Sequence, residues 1–253
     1  VHADKKYFPE YNWFEKAISY PYKAPTTSFT FKNEKFYQGI HISLKDRVPI
    51  LSIGSNRSPY QLKNKFGVKE NLCVTPAKLY NSVIVYAASM SAYGSIPATQ
   101  WPCEGSVSDL NLLWLNQDQL QIMHLSEGLG IAYNYAELDK NTVTIQEDDY
   151  SGPIFGYIST RGGYLFDGNE PFRLKNIKTN TNTHSSINEY QALNKLFLEN
   201  ADGQTSLETW LKNFISNKSK RFSLIDKMSK KSLLPKHVPW KILDLKVSGN
   251  NIY

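Results

Sequence analysis

Residues 48–56 read Val48-Pro49-Ile50-Leu51-Ser52-Ile53-Gly54-Ser55-Asn56, a short apolar run that stops in a Gly-Ser-Asn turn. A run of that length bounded by turn residues predicts a buried strand. The turn sets bare main-chain N–H groups at the strand's end, beside small hydroxyl and amide side chains. Such a concavity suits a carboxylate or a carbonyl oxygen. Most turns of this kind only reverse the chain, so its meaning depends on what stands downstream.

Just past the turn, Ser58 and Pro59 predict an N-cap and a first helical position, and Gly67 predicts the helix end. The positive end of that helix dipole would then face the same concavity. Residues 71–77 and 78–88 predict two strands, with Val83-Ile84-Val85-Tyr86 strongly β-prone. A small-residue loop, Tyr93-Gly94-Ser95-Ile96-Pro97-Ala98-Thr99, leads to a strand near Gln100 and Trp101, and residues 107–115 predict another. Asn116-Gln117-Asp118 opens a helix that carries His124 and Glu127 at its end, before Gly128. Residues 131–138, 142–146 and 154–159 complete the strands. Helices then take over. Ser186 with Glu189, and Thr205 with Glu208, have capping-box spacing. Leu207, Trp210, Leu211, Phe214 and Ile215 fall on one helical face.

Upstream, residues 1–47 are rich in aromatics and proline, among them Tyr7-Phe8-Pro9, Trp13-Phe14 and Tyr20-Pro21-Tyr22. Proline biases its predecessor towards extended backbone, so an arm with a short helix near residues 13–18 is expected to pack on the body. Short strands are expected at Phe29-Thr30-Phe31 and residues 37–42. The organisation read from the chain is an arm (1–47), a core domain (48–180) and a helical, basic extension (181–253).

The 253 residues are 41% hydrophobic and 21% charged, which describes an ordinary globular chain. No stretch approaches the roughly 20 apolar residues a membrane crossing needs. The polar start, Val1-His2-Ala3-Asp4-Lys5-Lys6, has no apolar signal core, and a cytoplasmic location is the expectation. The net charge of +6 is uneven: residues 212–246 hold ten Lys/Arg and two Asp/Glu, while the rest of the chain is slightly acidic. A basic tail can meet nucleic acid, an acidic protein face or an anionic membrane; a solvated helix surface is the plainer reading.

Five scattered histidines match no zinc spacing, and no phosphate loop, dinucleotide fingerprint or nucleophile elbow is present. Cys73 and Cys103 carry no supporting signature and read as buried structural thiols. No metal and no cofactor are expected. Glu127 remains, between Ser126 and Gly128 and ahead of the aromatic run Tyr133-Asn134-Tyr135.

Taken together, Ser52-Ile53-Gly54-Ser55-Asn56, Tyr93 to Thr99, the stretch from Leu115 to Glu127-Gly128, Tyr133 and Tyr157 resemble the γ-glutamyl cyclotransferase-like family over residues 48–175, in a divergent bacterial form. The resemblance implies an α+β fold, a small mixed β-barrel with flanking helices. It implies that Leu51, Ser52, Ile53, Gly54, Ser55 and Asn56 cradle a substrate, that Glu127 is the acid/base, and that Tyr133 and Tyr157 line the pocket. Ile53 stands where the family usually has tyrosine. The implied reaction closes a γ-glutamyl group to 5-oxoproline and releases an amine. The substrate brings its own nucleophile, which accounts for the missing one in the protein. His124, one turn before Glu127, is a candidate to orient it and more simply a packing residue. The alternatives are a catalytically inactive module that binds a small molecule or protein, and, last, nucleic-acid binding through the tail.

Overall fold

The structure, a computed structural model, describes residues 5–33, 35–67, 70–145, 150–201, 203 and 205–245. Residues 1–4 of the polar start, Gln146 of a predicted strand and residues 246–253 of the basic tail lie outside these. A short helix, α1 (Trp13–Ile18), opens the arm, closed by a capping box between Asn12 and Glu15. Strands β1 (Phe29–Lys32) and β2 (Lys35–Gln38) form a hairpin, and β3 (Val48–Ser52) is the strand predicted before the glycine turn.

Ile50 and Leu51 are both buried, but they face different cores: Ile50 packs with Phe29, Phe31, Leu62 and Phe66, whereas Leu51 packs in the main cluster. A strand covered on both faces has no polar side to alternate with, so its sequence is a continuous apolar run. Helix α2 (Pro59–Phe66) follows, ended by Gly67 at φ 79°. Ser58 occupies the N-cap as expected. Its side chain makes no capping bond, however, and its hydroxyl is buried without a partner among the described residues.

The largest departure from the sequence reading is a single long hairpin. Strands β4 (Leu72–Tyr86) and β5 (Ala98–Leu115) pair along most of their length, where four shorter strands were expected. The break expected between Ala77 and Lys78 is absent, since the pairing runs on through Ala77–Leu110 and Lys78–Asp109, and the hairpin's irregularity lies nearby instead. Asn81 adopts φ 54° and Gly105 φ 72°, and the Gly105 N–H donates to Asn81 Oδ1 at 2.9 Å. Turn-forming residues here shift the register between Tyr80 and Ser82 without ending the strands.

Helix α3 (Gln117–Ser126) carries an Asn116–Gln119 capping box. Then come β6 (Tyr133–Leu138), β7 (Val143–Ile145), β8 (Phe155–Ser159), β9 (Gly163–Tyr164), β10 (Arg173–Leu174) and β11 (Ser186–Ile187). Helices α4 (Glu189–Asn200), α5 (Leu207–Ser216) and α6 (Lys218–Ser229) precede β12 (Ser232–Leu233) and β13 (Trp240–Ile242). Two expected caps are displaced. Asn188 with Gln191 caps α4, while Ser186 lies in β11; Ser206, not Thr205, caps α5. Neighbouring polar residues offer near-equivalent caps, and the backbone path selects the one that reaches the third N–H.

Eleven strands form one mixed sheet along the order β11-β10-β4-β5-β3-β8-β6-β13, with β1, β2 and β7 attached through β4. Pairs β3–β8 and β10–β11 are parallel and the others antiparallel. Among the described residues no pairing joins β11 to β13 to close a barrel, so the architecture is an α+β fold on a large open-ended mixed sheet. The main core contains Ala17 and Tyr20 from the arm, Leu51, Leu112 and Trp114 from the sheet, and Leu193, Leu211 and Met228 from the C-terminal helices. Among the described residues no helix is long and apolar enough to cross a membrane.

Candidate active site

Where β3 ends, its pairing with β5 stops at Ser52–Asn111 and the chain leaves the sheet. Residues Ser55–Arg57 make one tight helical turn, closed by Ser58 N–H on Ser55 O at 2.9 Å. Among the described residues the N–H groups of Ser55 and Asn56 donate to no protein acceptor. Gly54 is required by packing: a Cβ there would collide with the Tyr20 hydroxyl. That hydroxyl accepts the Ala98 N–H at 3.0 Å, so the arm closes over the turn and pins the loop before β5.

The loop itself is tied down from three sides. Ser95 Oγ donates to Ala17 O at 2.8 Å, Ile96 N–H donates to Glu189 Oε1 at 2.6 Å, and Gly94 at φ 90° lies against Ile215. Tyr93 is thereby held with its hydroxyl against the side chains of Ser55 and Ser91. Burial, with smaller contributions from Glu127 and Glu189, raises the Tyr93 phenol to about 12, although the two serine hydrogen bonds oppose the shift.

Helix α3 ends at Glu127, and Gly128 at φ 61° turns the chain into β6. Across the gap, Asn56 Nδ2 donates to Glu127 Oε1 at 3.0 Å. The two residues the sequence left 71 positions apart therefore touch. Lys65, on the last turn of α2, forms an ion pair with the same Oε1 and is more enclosed than its partner, with side chains 9% and 15% exposed. Glu127 Oε2 has no protein partner among the described residues and is not one of the buried orphaned atoms, so it is presented to open space. That space is a cavity of about 490 Å³.

Leu51, Ile53, Gly54, Ser55 and Asn56 line it from the end of β3 and the turn, and Glu127, Tyr133 and Tyr157 also line it. Ser52 does not: it is buried in the strand, with its hydroxyl unpartnered among the described residues. The odd–even geometry of a strand turns Ser52 away from its neighbours' side of the sheet. The Tyr133 hydroxyl donates to Ala98 O at 2.9 Å, and Tyr157 hydrogen-bonds His124 Nδ1 at 2.7 Å. Burial holds both phenols well above their ordinary value. His124 does not bond Glu127; it packs edge-on against Tyr135, and burial lowers its pKa, which keeps it neutral at pH 7.

Sequence reasoning missed Lys65, Tyr20 and Tyr93, and three cations, Arg161, Lys218 and Arg221, that also line the cavity. A helical lysine beside a predicted anion site was the one local signal available for Lys65; the others arrive from distant elements. Cys73 and Cys103 are buried thiols away from this cavity. Among the described residues no cluster of three His, Cys, Asp or Glu could hold a metal ion. No family model, no curated protein and no solved structure matches the chain.

Proposed function

We propose that the protein is a γ-glutamyl cyclotransferase-like enzyme that closes a γ-glutamyl group to 5-oxoproline and releases an amine. One observation carries the reading: the Gly54–Asn56 turn and the Glu127 carboxylate share a cavity, joined by the 3.0 Å Asn56–Glu127 hydrogen bond.

The chemistry follows from the free oxygen. A substrate α-ammonium has a reference pKa of about 8 and must lose a proton before it can attack. Glu127 Oε2 takes that proton while Oε1 is held by Asn56 and Lys65. The amine nitrogen bonds to the γ-carbonyl carbon, the carbonyl electrons move to oxygen, and the N–H groups of Ser55 and Asn56 are placed to receive that charge or the α-carboxylate. Collapse breaks the amide C–N bond as Glu127 returns the proton to the departing nitrogen, and the second proton, which the ring nitrogen holds after attack, passes through the same carboxylate to the released amine, which leaves as an ammonium ion. Folding the substrate into its attacking shape is the protein's main task, because effective molarities of well-oriented groups reach roughly 10⁵–10⁸ M.

Wild-type protein incubated with γ-glutamyl amines is expected to release 5-oxoproline, and Glu127→Gln to lower kcat by roughly 10²–10⁴-fold. Unchanged turnover in the variant would remove Glu127 from the mechanism. The Lys65 ion pair favours a second reading, a binding module on the same fold, since one carboxylate oxygen is already engaged. Tight γ-glutamyl binding by the wild type without turnover supports that reading instead.

A further inference from the structure

The cavity has an unbalanced wall. Glu127 is its one acidic lining residue among those described, and Lys65 neutralises it. Arg161, which follows β8, and Lys218 and Arg221, at the start of α6, add three positive charges with no carboxylate partner among the described residues. Phe222 and Ile225 continue the α6 wall between them.

The two guanidinium groups are held in place without being neutralised. Arg161 Nη1 donates to Ile131 O at 3.2 Å. Arg221 Nη1 donates to Phe214 O at 2.8 Å and to Ile215 O at 3.4 Å, at the end of α5. Arginine has five N–H donors, so each fork keeps donors for an incoming anion, and a fixed planar fork suits carboxylate or phosphate. Lys218 is exposed at the rim with its ammonium over the Phe222 ring. A rim cation of this kind steers anions towards a cleft.

Charge arithmetic assigns the ligand. A γ-glutamyl group carries one ammonium and one carboxylate and is neutral overall, so it cannot balance this wall. A cavity of about 490 Å³ also has room beyond a single glutamyl unit. We propose that Arg161, Lys218 and Arg221 form a subsite for a dianionic amine half, and that the preferred substrates are γ-glutamyl amines bearing two carboxylates or one phosphate on the leaving group. This rests on the cyclotransferase reading for its first half only; the anion subsite stands on its own geometry.

The test compares kcat/KM for matched pairs: γ-glutamyl-glutamate against its diamide on the amine half, and γ-glutamyl-phosphoethanolamine against γ-glutamyl-ethanolamine. The dianionic member is expected to be favoured at least tenfold, with the advantage shrinking as salt is raised. The pair with the larger ratio identifies carboxylate or phosphate as the source. Lys218→Gln and Arg161→Gln are each expected to cut that ratio about threefold or more. Equal turnover of neutral and dianionic members overturns the subsite and leaves the cyclotransferase reading intact. If no γ-glutamyl compound is turned over, that reading fails, and calorimetry with glutamate and phosphoethanolamine decides the subsite. Binding lost in Lys218→Gln sustains it, and no binding overturns it.

Discussion

At Gly54 a single hydrogen atom in place of a methyl group allows the turn and the arm to meet. The added Cβ of Gly54→Ala would strike the Tyr20 hydroxyl, whose other contact is the Ala98 N–H. Overpacking a filled interior costs about 1–3 kcal/mol, and a loss of unfolding free energy of that size is expected in urea titrations. In a Tyr20→Phe background the colliding oxygen is gone, so the same substitution is expected to cost less. Equal costs in both backgrounds would place the strain elsewhere. The identity of Gly54 is plain in the sequence, but its reason is not, because Tyr20 comes from a segment more than thirty residues earlier.

Between elements, the Lys65–Glu127 pair is the direct polar link from α2 to the end of α3. Both side chains are largely enclosed, and removing one partner of such a pair leaves an uncompensated charge that costs about 3–5 kcal/mol. Lys65→Met is therefore expected to be strongly destabilising in urea titrations. Lys65→Met combined with Glu127→Gln, which buries no lone charge, is expected to recover much of the loss. Additive effects of the two substitutions would show that the pair is uncoupled. The helices themselves were legible from Pro59, Gly67, Asn116 and Gly128. Their meeting was not, since local patterns say where a helix begins and ends but not which helix it faces. The long β4–β5 hairpin shows the converse. Asn81 and Gly105 have the residue types of turns, and only cross-strand pairing turns them into a bulge.

Over the whole molecule, stability is tied to a carboxyl that the sequence reading treated as a cap. Glu189 is sealed in the interior, with Oε1 accepting from Ile96 N–H and Oε2 without a partner among the described residues. Burial raises its pKa well above the ordinary 4.5, against the opposing hydrogen bond from Ile96. The folded chain keeps a proton that the unfolded chain releases above about that pH, so this group's contribution to stability falls as pH rises from there towards the folded value. Glu189→Gln has no proton to lose. Its Tm is expected to decline less than that of the wild type between pH 5 and pH 8, and parallel Tm curves would contradict the assignment. Because Glu189 supports the loop carrying Tyr93 and Pro97, this stability term is also a term in the shape of the cavity.

The sequence by itself determined the local pieces: the apolar strand into Gly54, the helix starts and stops, the amphipathic face of α5 and the acid at the end of α3. Each of these is fixed by interactions within a few residues, through backbone preference, capping and periodic burial. Tertiary structure alone decided that Asn56 touches Glu127, that Lys65 pairs with it, and that Tyr20 and the basic start of α6 wall the same cavity. Those contacts join parts of the chain 60 to 200 residues apart, and no local pattern encodes them. They arise because α2 and α3 bury their apolar side chains in one core, while the arm, the sheet and the C-terminal helices bury theirs in another, with β3 contributing to both.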